Sequence, residues 1–232
     1  MTRRIKRLID ITAALIGLAA LTPLLVVVAL AVLIEMGRPI FFRQIRPGHS
    51  GQPFAVVKFR TLRQATVGHD GRPISNVDRL TRLGALLRRA SIDEIPQLWN
   101  VLKGEMSLVG PRPLLVEYLD LYTPEQARRH EVRPGITGWA QVNGRQAVGY
   151  EQRFAFDVWY VEHWSLALDL KILARTALRL LRPTGIAGAA GVAEPAWTGS
   201  KPPAGRDGRE RRNADAAIDD VSADRTRGAH AA

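Results

Sequence analysis

The first pattern in the chain is a long apolar segment, residues 11–34, which contains no charged side chain. Basic residues flank it on both sides, among them Arg7 before it and Arg38 after it. A run of about 20 apolar residues is long enough for a helix to cross the hydrocarbon core of a bilayer. The pattern therefore predicts a membrane helix, and we assign residues 1–36 to it.

Two topologies suit this segment. Pro23 lies at its middle, lacks a backbone N–H and clashes with the carbonyl four residues back, whereas the Thr22 hydroxyl could bond a freed carbonyl. Lys and Arg near membrane ends tend to stay cytoplasmic. Basic residues at both ends therefore favour a re-entrant helix-hairpin that breaks at Thr22 and Pro23 and returns to the face it entered. A single membrane-spanning helix with a proline kink is the alternative.

The rest of the chain predicts an α+β fold that is mostly helical. Residues 37–62 read as two short strands around a turn at residues 47–51, which is a small β-hairpin. Residues 78–182 carry apolar positions at helical spacing and predict a compact helical body. The helices are expected at an amphipathic basic stretch around residues 79–89 and over residues 94–103, 124–132, 150–163 and 166–181.

The last of these helices has an apolar face and a basic face. Such a helix can lie along a membrane surface with its apolar side among the headgroups, or it can pack in a core with a solvated basic side. Residues 183–232 are rich in Gly, Ala, Pro, Asp and Arg and poor in large apolar residues, which is typical of a disordered tail. The cytoplasmic domain is therefore expected to cover residues 37–182.

The composition of the chain narrows the kinds of site and ligand that it can have. The 232-residue chain contains no cysteine, which excludes a disulfide framework, a thiolate metal site and a cysteine nucleophile. The formal net charge is +11, and acids balance bases within residues 183–232, so the whole excess lies in residues 1–182. A basic body suits anionic lipid headgroups, phosphorylated substrates or nucleic acid.

The strongest candidate for chemistry is the adjacent pair Asp93 and Glu94. Pro96 tolerates a helix only in the first turn, so a helix should begin near Asp93 with Ser91 or Asp93 as its cap. Capping is the purely structural interpretation of these acids. Yet adjacent carboxylates repel each other when ionised, and Mg²⁺ would neutralise them while binding substrate phosphate. With Arg88 close by, the pattern favours phosphoryl transfer through an aspartyl-phosphate-type intermediate.

Further candidates are basic side chains in turns. Arg112 lies between two prolines that fix the backbone around it, and a rigid guanidinium can bind phosphate oxygens in pairs. Arg133 and Arg145 flank a glycine-rich segment that is either a phosphate or nucleotide loop or a packed loop.

Asp169 is a lone acid in an apolar helix and needs a partner if buried, for which Lys58 is a candidate.

Together these segments resemble the bacterial sugar transferase family, the monotopic polyprenyl-phosphate phosphoglycosyl transferases. The matching stretches follow the family's order over roughly residues 5–180 and read FFRQIRPG, FAVVKFRTL, DRLTRLGALLRRASIDEIPQLWNVLKGEMSLVGPRPL, VRPGITGWAQVNGR and WSLALDLKIL. The family typically has Ser-Pro in its membrane helix where this chain has Thr22-Pro23.

The resemblance implies a two-step reaction. Asp93 would attack the β-phosphate of a UDP-sugar, release UMP and hold the phosphosugar, which polyprenyl phosphate, usually undecaprenyl phosphate, would then remove. Glu94 would act as a metal ligand or base, with Mg²⁺ bound by Asp93 and Glu94. Lys58 and Asp169 match family positions of functional weight. The residues expected to bind substrate or phosphate are Arg88, Arg112, Arg133 and Arg145.

The resemblance also implies a location on the bacterial inner membrane, with residues 37–182 as the catalytic domain on the cytoplasmic face. The expected partners are a UDP-sugar, undecaprenyl phosphate and inner-membrane lipids, with a homodimer allowed and nucleic acid excluded. The alternative to an enzyme is a membrane-anchored basic binding protein without catalysis. That alternative leaves the Asp93–Glu94 pair unexplained.

Overall fold

A computed structural model describes residues 2–64, 75–143, 148–181 and 197–199. The chain begins with α1 (Thr2–Met36), a 35-residue helix that continues through Pro23, so the predicted break at Thr22 and Pro23 is not confirmed. The mean hydropathy of its most apolar window is 2.7, and 11% of that window is buried, so α1 is long and apolar enough to cross a membrane. The Thr22 hydroxyl donates to the carbonyl of Leu18 at 2.7 Å.

The body contains two small sheets among short helices. Strands β1 (Phe41–Pro47) and β2 (Pro53–Phe59) pair antiparallel, and β3 (Ser107–Val109) pairs parallel with β4 (Gly135–Thr137). The helices are α2 (Asn76–Arg79), α3 (Arg82–Arg89), α4 (Gln97–Lys103), α5 (Pro124–Ala127), α6 (Trp139–Asn143), α7 (Tyr150–Glu162) and α8 (Leu166–Leu181). Turns of 3-10 helix cover His49–Gly51, Ile92–Glu94, Val116–Leu121 and Arg128–Glu131.

The β-hairpin and the mostly helical body confirm the prediction, and α7 and α8 cover the segments predicted for them. The predicted helix start near the acidic pair is confirmed in part, because a 3-10 turn begins at Ile92 with Ser91 at its N-cap position, whereas the predicted side-chain capping is wrong. Helix α4 begins at Gln97, and the Ser91 side chain makes no capping hydrogen bond. Asp93 lies within the 3-10 turn that precedes α4. The turn places the two carboxylates ahead of the helix because Pro96 occupies the helix N-cap.

The sequence pattern did not predict the parallel pair of β3 and β4. The pairing brings Gly110 so close to the opposite strand that an added Cβ would lie 2.3 Å from the carbonyl oxygen of Arg133. Only glycine permits that approach. The amide of Gly110 donates to the carbonyl of Thr137 at 2.9 Å. This contact holds the start of the Pro-Arg-Pro segment at residues 111–113 against the body.

Helix α1 packs on the body along its length and belongs to the same compact unit, Met1–Trp197. Near its start, the Arg7 guanidinium donates to the carbonyl of Val101 at 2.6 Å, at the end of α4. In its second half, Val28 and Val32 are buried against Phe59 and Leu87. The domain boundaries after residues 36 and 182 stay predictions.

The end of α1 is fixed by Arg60. Its guanidinium donates to the carbonyl of Gly37 at 2.6 Å and also to that of Met36. Cations near a helix C-terminus bind the free carbonyls that the helix leaves there. Both ends of α1 are therefore bonded to the same body.

Most of the predicted tail lies outside the described residues. Trp197, which is described, packs edge-to-face on Phe154 with ring centroids 4.7 Å apart. Its backbone amide donates to the Tyr118 hydroxyl at 3.1 Å. This part of the chain therefore contacts an aromatic cluster of the body.

Candidate active site

A cavity of about 1060 Å³ contains the acidic pair. Lys58 of β2, the turn with Asp93 and Glu94, and Arg112 of the loop after β3 all line it. The volume is at the upper end of the range usual for small-molecule pockets. The described lining is strongly basic and includes Arg46, Arg60, Arg63, Arg79, Arg88, Arg89, Arg112, Arg129, Arg153 and Arg179. Such a lining suits a phosphorylated ligand.

Glu94 is held by two cations. Lys58 Nζ and Arg112 Nη2 each donate to its Oε1 at 2.6 Å, and Arg112 Nη1 lies 3.4 Å from its Oε2. Burial alone would raise the pKa of this carboxyl, but the Arg112 and Lys58 charges outweigh burial and hold the pKa well below its usual range. Glu94 is therefore ionised and fixed in place. The two predicted basic residues converge on it.

Asp93 has the opposite surroundings. Its side chain is buried. Burial and nearby charges, rather than hydrogen bonds from the described residues, set the pKa of its carboxyl. Burial and the negative charge of Glu94 raise the pKa of Asp93 to about 6, against the attraction of nearby cations such as Lys58. Two adjacent carboxyls with diverging pKa values are typical of groups with different chemical roles. Asp93 has its oxygens free to react, whereas Glu94 does not.

Arg88 lies on the wall of the same cavity. Its Nε donates to the Thr61 hydroxyl at 2.9 Å, which fixes the guanidinium close enough to Asp93 for their charges to interact. The site thus combines a free carboxylate with a fixed guanidinium, a suitable pairing for a phosphate that becomes bonded to the carboxylate. Thr61 was not among the predicted site residues.

A buried ion pair supports the loop that carries Arg112. Arg129 Nη2 donates at 2.7 Å both to Asp157 Oδ2 and to the carbonyl of Arg112. Its Nη1 donates to the Tyr122 hydroxyl at 3.1 Å. Arg129 and Asp157 are 2% and 3% exposed, so the pair is fully desolvated. Sequence reasoning missed this pair, although Asp157 is an acid among apolar residues of a predicted helix, the signal that singled out Asp169.

Asp169 does not pair with Lys58, and that prediction is wrong. Its carboxylate accepts from Lys6 Nζ at 2.6 Å, the Tyr160 hydroxyl at 2.7 Å and Trp164 Nε1 at 3.1 Å. Asp169 occupies the first turn of α8, which lies beside the start of α1. Lys6 of α1, rather than Lys58, is therefore its ion-pair partner. The pair anchors α1 to the body. A direct role of Asp169 in catalysis stays a prediction.

The structure does not bring every predicted residue to the cavity. Arg133 Nε donates to the carbonyl of Gly104 at 2.8 Å. In the described part of the chain, neither Arg133 nor Asp169 lines the cavity. Arg145 lies outside the described residues. The site as described therefore consists of Lys58, Arg88, Asp93, Glu94 and Arg112.

The carboxylates could hold part of a metal shell. Among the described residues, no group of three or more His, Cys, Asp or Glu could hold a metal ion by itself. Mg²⁺, however, is commonly bound by one or two carboxylates together with water and substrate phosphates. Asp93 and the less tightly bonded Oε2 of Glu94 fit that smaller requirement.

Comparison with known proteins identifies the family of the chain. A model of the bacterial sugar transferase family matches residues 1–183. The chain is 50% identical over 196 residues to the uncharacterized sugar transferase EpsL of Bacillus subtilis, an alignment that covers 84% of this chain and 96% of that relative.

Two further relatives have more specific names. A UDP-glucose:undecaprenyl-phosphate glucose-1-phosphate transferase of Caulobacter vibrioides is 47% identical over 186 residues, which cover 76% of this chain and 69% of the relative. The transferase of the same name from Escherichia coli is 39% identical over 191 residues, which cover 77% of this chain and 40% of the relative. The chain therefore belongs to the bacterial sugar transferase family and is a sugar-phosphate transferase.

Proposed function

We propose that the protein transfers a sugar 1-phosphate from a UDP-sugar to undecaprenyl phosphate and releases UMP. The observation that carries this proposal is the buried Asp93 carboxylate, which is free of strong bonds and lies next to a Glu94 whose Oε1 is held by Lys58 and Arg112. The basic cavity around the pair supports a phosphorylated ligand. The names of the relatives from Caulobacter vibrioides and Escherichia coli support both substrates and make UDP-glucose the first donor to test.

The chemistry would proceed in two displacements at one phosphorus atom. In the first, an Asp93 oxygen bonds to the β-phosphorus, the bond to the oxygen that bridges the α-phosphorus breaks, and UMP leaves with that oxygen. In the second, a phosphate oxygen of undecaprenyl phosphate bonds to the same phosphorus and the bond to Asp93 breaks. The Asp93 carboxylate is regenerated, and the product is an undecaprenyl-diphosphate sugar. A covalent intermediate divides one difficult step into two easier ones.

The other residues of the site would bind and orient the substrate phosphates. Lys58 and Arg112 hold Glu94, and the guanidinium groups of Arg112 and of the fixed Arg88 would bind phosphate oxygens. Asp93 and Glu94 would hold Mg²⁺, which when bound neutralises charge on phosphate oxygens. These cations would reduce the repulsion between the negatively charged Asp93 carboxylate and the negatively charged phosphate that it attacks.

We also propose that α1 enters and leaves the inner membrane on its cytoplasmic face. Both ends of the helix are bonded to the same body, through Arg7 at its start and Arg60 at its end. A spanning helix would carry one of these contacts, and the polar groups around it, to the far side of the bilayer. A helix that dips into one leaflet keeps both contacts in place. Helix α8, with exposed Leu170 and Leu178, would lie at the membrane surface.

The topology can be tested by labelling a single cysteine. The chain has no cysteine of its own, so Thr2→Cys gives one reporter at the start of α1. In spheroplasts we expect a membrane-impermeant maleimide to leave this cysteine unlabelled, and we expect labelling after the membrane is permeabilised. Labelling before permeabilisation would establish a spanning helix instead.

The function can be tested by UMP release from a panel of UDP-sugars. With purified protein, Mg²⁺ and undecaprenyl phosphate, we expect continued UMP release from at least one donor and a lipid-linked diphosphate sugar as product. Without the lipid, release should stop after about one UMP per active site. The alternative, a basic binding protein without catalysis, predicts no release from any donor and binding to polyanions that weakens steeply with salt.

A further inference from the structure

Buried polar atoms without a partner concentrate at the active-site cavity. Among the described residues, five buried side-chain atoms make no hydrogen bond, namely Arg60 Nε, Gln97 Nε2, Ser107 Oγ, His130 Nε2 and Gln141 Oε1. The residues Arg60, Gln97 and Gln141 line the cavity that contains Asp93. Leaving a buried donor or acceptor unpaired destabilises the folded state, and native proteins retain few such groups. A cavity that retains them is matched to a ligand that pairs them.

Gln97 is the most informative of these residues because of its position relative to Asp93. The chain from Ile92 to Gln97 follows successive helical turns, with Ile95 N bonded to the Ile92 carbonyl at 3.2 Å and Leu98 N to the Ile95 carbonyl at 3.0 Å. Both Asp93 and Gln97 line the cavity, and Gln97 is only 2% exposed.

Other buried amides of the chain show that Gln97 is an exception. The amide nitrogen of Gln126 donates to Glu151 Oε2 at 2.6 Å, and its Oε1 accepts from the backbone of Thr123 at 3.0 Å. The amide nitrogen of Asn100, in the same helix as Gln97, donates to the carbonyl of Ala55 at 2.7 Å. Where a buried amide has a structural role, this fold supplies its partners.

We propose that Gln97 is a catalytic residue, whose side-chain amide donates a hydrogen bond to a non-bridging oxygen of the phosphate transferred to and from Asp93. The inference rests on the proposed function and extends it to a residue outside the charged constellation. A neutral donor fixed before the substrate arrives needs no reorganisation during the reaction, and its hydrogen bond forms only when the phosphate is present. An unpaired donor that lines the same cavity as a free nucleophile is the arrangement that this role requires.

The test replaces Gln97 with methionine, which has a similar length and no donor. We expect Gln97→Met to slow both adduct formation on Asp93 with donor alone and complete transfer by about 10²-fold. We expect the apparent unfolding temperature to stay equal or rise, because the substitution removes an unpaired polar atom rather than a hydrogen bond. Gln97→Glu should be slower still, since it places a negative charge beside the phosphate.

Two variants control for structural effects. Gln126→Met breaks a paired amide away from the cavity, so it should lower the unfolding temperature. Ser107→Ala removes an unpaired atom outside the cavity and should leave transfer within about twofold of the unaltered protein.

The outcomes separate the inference from the function on which it rests. If the unaltered protein transfers sugar phosphate and Gln97→Met matches it, Gln97 is not catalytic and the proposed function stands. If Gln97→Met lowers the unfolding temperature as Gln126→Met does, Gln97 has a structural role and the inference is wrong. If the unaltered protein neither releases UMP nor forms an adduct, the proposed function fails and the inference fails with it.

Discussion

Asp93→Asn should form no covalent adduct and should lose transfer by on the order of 10⁴-fold or more, the scale seen when an enzyme loses its nucleophile. The amide oxygen of asparagine carries no charge and is a poor nucleophile towards phosphorus. The substitution keeps the size of the side chain, so the cavity and the Glu94 ion pairs should stay intact. Mass spectrometry of protein quenched after incubation with UDP-sugar alone measures the adduct directly.

The same variant should not unfold more easily. Burial and the neighbouring Glu94 raise the pKa of Asp93 to about 6, so at neutral pH the folded protein holds a carboxylate charge that its surroundings disfavour. Removing that charge should preserve or increase the unfolding temperature at pH 7. Glu125→Gln, at an exposed acid of α5, serves as a control that should retain transfer. Retained transfer in Asp93→Asn would show that another group is the nucleophile.

Arg129→Met should cause the largest loss of stability. Asp157 is 3% exposed, and the substitution would leave it buried without the cation to which it is hydrogen-bonded. Breaking a buried ion pair from one side typically costs about 3–5 kcal/mol. For a chain of this size, the cost corresponds to a fall of roughly 10 °C in apparent unfolding temperature. Transfer should also fall, because Arg129 no longer holds the carbonyl of Arg112.

The pH dependence of this variant has a defined sign. Burial raises the pKa of Asp157, and Arg129 opposes that rise in the unaltered protein. Without Arg129 the folded-state pKa should rise further, so the folded state binds a proton more strongly than the unfolded state does. Stability relative to the unaltered protein should therefore recover as the pH falls from 7 towards 5. Thermal unfolding followed by tryptophan fluorescence across that range measures the effect.

A second substitution tests whether the two side chains act as a pair. Replacing both partners with apolar residues, Arg129→Met with Asp157→Leu, removes the unpaired charge and should restore most of the lost stability. A double variant no more stable than Arg129→Met alone would contradict the pairing as the source of the effect. Transfer should stay low in both variants, because each lacks the bond from Arg129 to the Arg112 carbonyl.

Local features of the fold were predictable because their causes lie within a few residues. The helical spacing of apolar residues predicted α7 and α8, and glycine and proline at residues 47–51 predicted the turn between β1 and β2. Gly104 ends α4 with a φ of 86°, a backbone conformation that glycine adopts without strain. The carboxylate pair at residues 93–94 was also evident, since two adjacent ionised acids repel each other unless a cation lies close to them.

Sequence alone thus determined the main helices, the hairpin, the apolar N-terminal segment and the acidic pair. The tertiary structure decided which side chains bond to one another. Lys58 binds Glu94, 36 positions away, and Lys6 binds Asp169, 163 positions away. It likewise joined Arg129 to Asp157 and β3 to β4, and it left the amide nitrogen of Gln97 unpaired at the cavity that contains Asp93. A charged or polar side chain can bond to any complementary group within about 3 Å, so its partner depends on how distant segments pack together.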